Sequence, residues 1–198
     1  MRTAEYIASR LAQAGIRHAF LVTGGGAMFL NDAFCHEPQL SPTFFHHEQA
    51  AAMAAEAYAR IAGGPAVLNV TTGPGGINAL NGVFGAWTDS VPMVVISGQV
   101  KRATCLATTP VPGLRQLGDQ ESDILAMVRG ITKYAAVVER PDDIAWHLDQ
   151  ALVLATSGRP GPVWLDIPID VQSAAIDPAS LRRHEEASAQ PVAPAADE

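Results

Sequence analysis

Four stretches of this chain are apolar with almost no alternation: Ala19-Phe20-Leu21-Val22, Ala66-Val67-Leu68-Asn69-Val70, Met93-Val94-Val95-Ile96 and Val163-Trp164-Leu165-Asp166-Ile167. Short runs of that kind suit strands covered on both faces. Thr43-Phe44-Phe45 and Tyr134-Ala135-Ala136-Val137-Val138 read as two further strands. Between them the apolar spacing lengthens to the helical period. Thr3 is placed to cap a helix with Ala4, Ile7, Ala8 and Leu11 on its apolar side, stopped by Gly15. A short helix follows Gly24-Gly25-Gly26, over 27–34. An Ala-rich helix covers 48–62 and stops at Gly63-Gly64-Pro65. Further helices are expected over 75–87, 123–128 and 142–156, the last with Ile144, Leu148, Ala151, Leu152 and Ala155 on one side. Trp87 and Met93 read as core.

Strands alternating with helices predict an α/β fold of three layers, α/β/α, with a mainly parallel central sheet and right-handed crossovers. Residues 98–121, rich in Thr, Pro and Gly, are expected to be irregular. The pattern supports one domain over 1–172. The remaining 173–198 contain no aromatic residue and end in Pro, Ala and acid, which suits a solvated, flexible tail.

In parallel sheets ligands bind beyond the carboxyl ends of the strands. The chemically unusual segments all fall there: Gly24-Gly25-Gly26, Glu48, Thr72-Gly73-Pro74-Gly75-Gly76 and Gly98-Gln99. Glu48 is the most pointed of them. It opens a helix of small residues that can pack closely, so little water is expected around its carboxyl, which suits it to proton traffic near neutral pH. An acidic residue in a first helical turn also has a plain electrostatic explanation in the helix dipole. The glycine runs have a plain reading too, as tight turns. Neither glycine segment is a nucleotide fingerprint. GxGxxG would need Gly where Phe29 stands, and the second run lacks the Gly-Lys-Ser/Thr of a P-loop. Glycines let a flat ligand approach the backbone, and Asn78 offers a donor and an acceptor.

Composition narrows the classes. The chain has 198 residues, 48% of them hydrophobic, with 20 acidic against 13 basic and a net charge of −7. No dense Lys/Arg cluster points to nucleic acid or to an anionic membrane surface. No apolar run reaches the ~20 residues that cross a bilayer. Cys35 and Cys105 are far apart without CxxC spacing and read as reduced thiols, which with the lack of a visible leader implies a cytoplasmic protein. His46-His47 are strand neighbours that point to opposite faces, and no metal site is expected from them.

Taken jointly, the motifs over about residues 3–172 resemble the N-terminal pyrimidine-binding domain of thiamine-diphosphate enzymes, specifically the acetolactate synthase-like group. Gly24-Gly25-Gly26-Ala27 is similar to that family's first loop, and His47-Glu48-Gln49-Ala50-Ala51 to its catalytic segment. Thr72-Gly73-Pro74-Gly75-Gly76-Ile77-Asn78 followed by Asp89-Ser90-Val91-Pro92 resembles its most recognisable run. The resemblance implies that Glu48 hydrogen-bonds N1′ of the cofactor's aminopyrimidine and so promotes loss of the thiazolium C2 proton. The activated cofactor then attacks a 2-oxo acid, which loses carbon dioxide. It implies that Gly24, Gly25, Thr72, Gly73, Pro74 and Asn78 lie against the pyrimidine, and that His47 and Gln120 stand on the substrate side.

One departure limits the resemblance. The family's diphosphate and Mg²⁺ site needs Gly-Asp-Gly with a later Asn, and this chain has no Gly-Asp-Gly; Gly118-Asp119-Gln120 is the nearest run. The middle domain that binds FAD in some relatives is missing as well. The expectation is a pyrimidine-binding subunit of a split enzyme. A partner chain would hold Mg²⁺ and the diphosphate, and the reaction would be decarboxylation of a pyruvate-like 2-oxo acid with ligation to an acceptor. Self-association through the Ala-rich helix and the 75–87 helix is expected beside it. Simple decarboxylation, a non-catalytic dimerisation module and a piece of a longer enzyme are the alternatives.

Overall fold

The computed structural model describes residues 1–184. Six strands form one wholly parallel sheet: β1 (His18–Leu21), β2 (Ser41–Phe44), β3 (Ala66–Val70), β4 (Met93–Gln99), β5 (Tyr134–Val137) and β6 (Pro162–Pro168), in the order β2-β1-β3-β4-β6-β5. The expected three-layer α/β/α architecture with a parallel sheet is what the chain adopts. β4 and β6 are the longest strands and pair from Met93↔Pro162 to Gln99↔Pro168.

Helices cover both faces. On one side α1 (Thr3–Gln13), α2 (Met28–His36), α6 (Ile144–Thr156) and α7 (Ile169–Ser173) enclose a core that includes Ile7, Leu11, Phe34, Val67, Ile96 and Leu165. On the other, α3 (Glu48–Ala62), α4 (Pro74–Thr88) and α5 (Ile124–Val128) enclose Ala52, Leu68, Val83, Val95 and Trp164. Successive residues of the central strands therefore serve alternate cores, as the two-residue strand period requires. Both faces are covered, and so β3, β4 and β6 are apolar but for Asn69, Ser97, Gln99 and Asp166.

α3 and α4 approach unusually closely. A Cβ on Gly82 would lie 2.5 Å from the Ala52 Cβ and 2.8 Å from its carbonyl carbon, so only glycine fits at this crossing. The run of Ala in α3 has the same cause: Ala51, Ala52, Ala55 and Ala59 are its buried positions.

Four expectations need correction. Thr3 does not cap α1; Arg2 occupies the N-cap, its N–H is taken by Glu5 Oε2 at 2.8 Å, and the Thr3 hydroxyl donates to the Ala174 carbonyl. Trp87 is 38% exposed rather than core, for a reason given by the α3–α4 contact: small residues take the inward positions of α4 and push large ones out. α7 follows β6 directly and falls outside the expected helices. Finally, packing does not end at 172. Ile176 and Leu181 are buried in the first core, and Arg183 reaches the buried Asp149 carboxylate. The rest of the expected tail, 185–198, lies outside the described residues.

Candidate active site

The strand order sets the place of the site. From β1 the chain first moves outward to β2, then returns past β1 to β3, so the crossovers diverge between β1 and β3. A crevice opens at such a switch point, beyond the carboxyl ends of the strands. The loop after β1 is Gly24 to Gly26 and the loop after β3 is Thr71 to Gly73, so the two glycine segments face each other there.

Thr71 joins the two loops. Its Oγ1 accepts the Gly26 N–H at 3.0 Å, and a Cβ on Gly24 would strike the Thr71 Cβ at 2.4 Å. Gly25 has nothing within 4 Å of where its Cβ would be and borders open space. Beneath the first loop runs a polar chain. The Gly24 N–H donates to Asn31 Oδ1 at 3.4 Å, Asn31 Nδ2 to Asn69 Oδ1 at 2.6 Å, and Asn69 Nδ2 to the Ile96 carbonyl at 2.9 Å. A buried Asn in an otherwise apolar strand is costly unless paired, and here it anchors the loop.

Glu48 opens α3 beyond the end of β2 and is 9% exposed. Asn78, one turn into α4, donates its Nδ2 to Glu48 Oε2 at 3.0 Å, and is the only donor to this carboxylate among the described residues. Oε1 is left for another partner. A Cβ on Gly75 would lie 3.5 Å from it and 2.8 Å from Thr71 Cγ2, so the absence of a side chain at 75 keeps the approach clear. The dipole of α3 also stabilises negative charge at this end. His47, exposed, is the N-cap of α3, and its Nδ1 accepts the Gln49 N–H at 3.1 Å. His46 is exposed and joins no cluster of metal-ligating residues among those described.

Gly73 has φ +56°, and a Cβ there would sit 2.0 Å from the Gln120 carbonyl oxygen. Glycine is thus required twice over, by backbone conformation and by contact. Pro74 follows in the first turn of α4, where a missing N–H costs nothing. The contact brings Gln120 from the long 100–123 segment onto the Thr71–Gly73 loop. Gln120 itself has φ 56°, a left-handed conformation that a side chain of this kind seldom adopts. Glu121 organises this segment: its carboxylate accepts from the Leu106 N–H at 2.5 Å, from Leu117 at 3.1 Å and from Gly118 at 3.0 Å. Burial opposes ionisation of Glu121, but those three backbone donors outweigh it and hold its carboxyl below the ordinary range.

Gly24, Gly25, Glu48, Thr72, Gly73, Pro74 and Asn78 thus converge on one crevice, and Gln120 borders it through its carbonyl. Sequence reasoning missed three supporting groups: Thr71, the Asn31–Asn69 pair, and Asp166. The last two carried a visible signal, a polar residue inside an apolar strand. Asp166 is fully buried on β6. Desolvation raises its pKa to about 7, Ser97 and Gln99 pull it back down through hydrogen bonds, and the charge of Asp123 adds to the rise.

A crevice lined by glycine backbone, with one buried carboxylate presenting a free oxygen, suits a planar heterocycle that offers a hydrogen-bonding nitrogen. Residues 1–127 match the thiamine pyrophosphate enzyme N-terminal TPP binding domain, and the chain belongs to that family. Among curated proteins it is 39% identical over 178 residues to acetolactate synthase 2, chloroplastic, of Zea mays, covering 88% of this chain and 26% of the maize protein. It is 38% identical over 168 residues to the acetolactate synthase large subunit of Buchnera aphidicola subsp. Schizaphis graminum, covering 85% of this chain and 28% of that subunit. The acetolactate synthase, chloroplastic, of Arabidopsis thaliana is 37% identical over 172 residues. The chain spans about a quarter of the length of these relatives.

Proposed function

We propose that this chain supplies the pyrimidine half of a thiamine-diphosphate site in an enzyme that decarboxylates a pyruvate-like 2-oxo acid and joins the acyl unit to an acceptor. The observation that carries the reading is Glu48: a buried carboxylate with one oxygen held by Asn78 and the other facing a crevice of glycine backbone. A carboxyl so placed has an oxygen free to hydrogen-bond a ring nitrogen, the geometry general acid–base exchange needs. Asn78 fixes the carboxylate's rotation, Thr71 holds the two glycine loops together, and Gly24, Gly25, Gly73 and Pro74 form walls that admit a flat ring. His47 and Gln120 stand on the substrate side. When bound, thiamine diphosphate supplies the electron sink that decarboxylation of a 2-oxo acid requires. Similarity to acetolactate synthases favours ligation to an acceptor over simple decarboxylation.

Mg²⁺ and the diphosphate fall to another part of the assembly. The sequence contains no Gly-Asp-Gly, and the described residues hold no group of three or more His, Cys, Asp or Glu suited to a cation. We assign that half to a diphosphate-binding domain that carries Gly-Asp-Gly and a downstream Asn. The test is reconstitution. The purified chain with thiamine diphosphate, Mg²⁺ and pyruvate is expected to show no turnover, and addition of a chain carrying that domain is expected to restore carbon dioxide release. Turnover by a preparation free of other proteins would overturn the split-site assignment.

A further inference from the structure

β4 and β6 pair along their whole length although β5 separates them in sequence. Here the sheet carries a buried polar network. Trp164 Nε1 donates to Ser97 Oγ at 2.8 Å, and Ser97 Oγ donates to Asp166 Oδ1 at 2.5 Å. Gln99 Nε2 donates to Asp166 Oδ2 at 2.9 Å and to the Ser122 carbonyl at 3.3 Å. Gln99 Oε1 accepts from the Thr72 hydroxyl at 2.7 Å and from the Val100 N–H at 3.0 Å. All four hydrogen-bonding sites of the Gln99 amide are used, by two donors and two acceptors. A flipped amide would set its NH₂ against the Val100 N–H and its oxygen against a carbonyl and a carboxylate, so only one orientation is allowed.

In that orientation Gln99 touches both sides of the crevice, Thr72 next to Gly73 and Ser122 two residues past Gln120. The loop it grips is under strain. Gln120 is left-handed, and its carbonyl oxygen presses on the Gly73 Cα so closely that no side chain fits. A non-glycine residue in that conformation is costly and persists only where surrounding bonds hold it.

We propose that Gln99, oriented by Asp166, is the clamp that sets the substrate-side segment 118–122 against the Thr72–Gly73 loop, which makes Asp166 a positioning residue for the 2-oxo acid. The substrate consequence rests on the function proposed above; the clamp itself does not. Asp166→Asn keeps an acceptor for Gln99, with its NH₂ turned to Ser97 Oγ. Asp166→Leu and Gln99→Met remove the pairing. Leu165→Ala, one residue away but facing the opposite core, is the control for general loss of stability.

The clamp is tested on the full chain by trypsin cleavage after the exposed Arg115, read by mass spectrometry under native conditions. Asp166→Leu and Gln99→Met should be cut at least about tenfold faster than wild type, while Asp166→Asn and Leu165→Ala stay within about twofold. Should Asp166→Leu fail to fold, Gln99→Met carries the test alone. Cleavage of Gln99→Met at the wild-type rate, or equal acceleration in Leu165→Ala, would overturn the clamp. In the reconstituted enzyme, Gln99→Met should raise KM for pyruvate about tenfold with thiamine diphosphate affinity within about twofold. An unchanged KM would overturn the substrate role. If loop cleavage behaves as expected but wild type turns over no 2-oxo acid, the functional assignment fails and the clamp stands.

Discussion

Asp166 has no cation beside it, only the neutral donors Ser97 and Gln99. An isolated charge so placed is disfavoured, so folding raises its pKa from the ordinary 3.8 to about 7, burial being the main cause. Between those values the folded chain binds a proton that the unfolded chain has lost, so this group's contribution is full below pH 4 and is lost as pH rises through 7. At about 1.4 kcal/mol per pH unit the loss amounts to a few kcal/mol. Asp166→Asn cannot ionise and should lack it. Urea unfolding of both proteins from pH 4 to pH 8 should therefore show the variant gaining on wild type across the window, whereas parallel curves would mean that Asp166 stays charged in the fold. Residues of this kind were only half legible. Glu48 and Thr72–Asn78 stand at strand-to-helix junctions, where a polar or glycine residue is free to serve a ligand, and the eye is drawn to them. Asn69 and Asp166 stand out as polar residues in apolar strands, but the partners that satisfy them come from α2 and β4, distant in sequence.

At the scale of elements, the strands were legible because burial on both faces leaves few residue types available. α4 shows where the same reasoning fails. Its inward positions are Gly75, Gly76, Ala79, Gly82, Val83 and Ala86, while Ile77, Phe84 and Trp87 face outward. The usual rule that large apolar residues face the core is inverted, because α3 lies too near to admit them. Two glycines of α4 should respond oppositely to one methyl group. Gly85→Ala meets nothing within 4 Å and should stabilise by about 0.5–1 kcal/mol through helix propensity. Gly82→Ala gains the same propensity but drives its Cβ into Ala52, where overpacking of about 1–3 kcal/mol wins. Thermal unfolding of the pair separates them; destabilisation by both, or by neither, would show that the α3–α4 crossing is not limiting. α7 was missed for a different reason, since five residues after Pro168 are too few to show a helical period.

For the molecule as a whole, the inverted helix has a second meaning. Phe84 is 54% exposed, Met53 46% and Ile77 41%, on the neighbouring helices α3 and α4. Large apolar side chains exposed on two neighbouring helices suit contact with another protein surface. This surface was legible in the sequence, where contact through the Ala-rich helix and the 75–87 helix was expected, although Trp87 was placed in the core and is 38% exposed. The central claim, that Glu48 is the group that activates the cofactor, meets its most direct test in the assembled enzyme. Exchange of the thiamine diphosphate C2 proton for deuterium, followed by NMR, is expected to slow by about two orders of magnitude or more in Glu48→Gln, since the amide keeps the shape but cannot share the proton. Assembly and thermal unfolding should stay within about 1 kcal/mol of wild type, the size of a lost helix-dipole interaction. Exchange at the wild-type rate in Glu48→Gln would contradict the account.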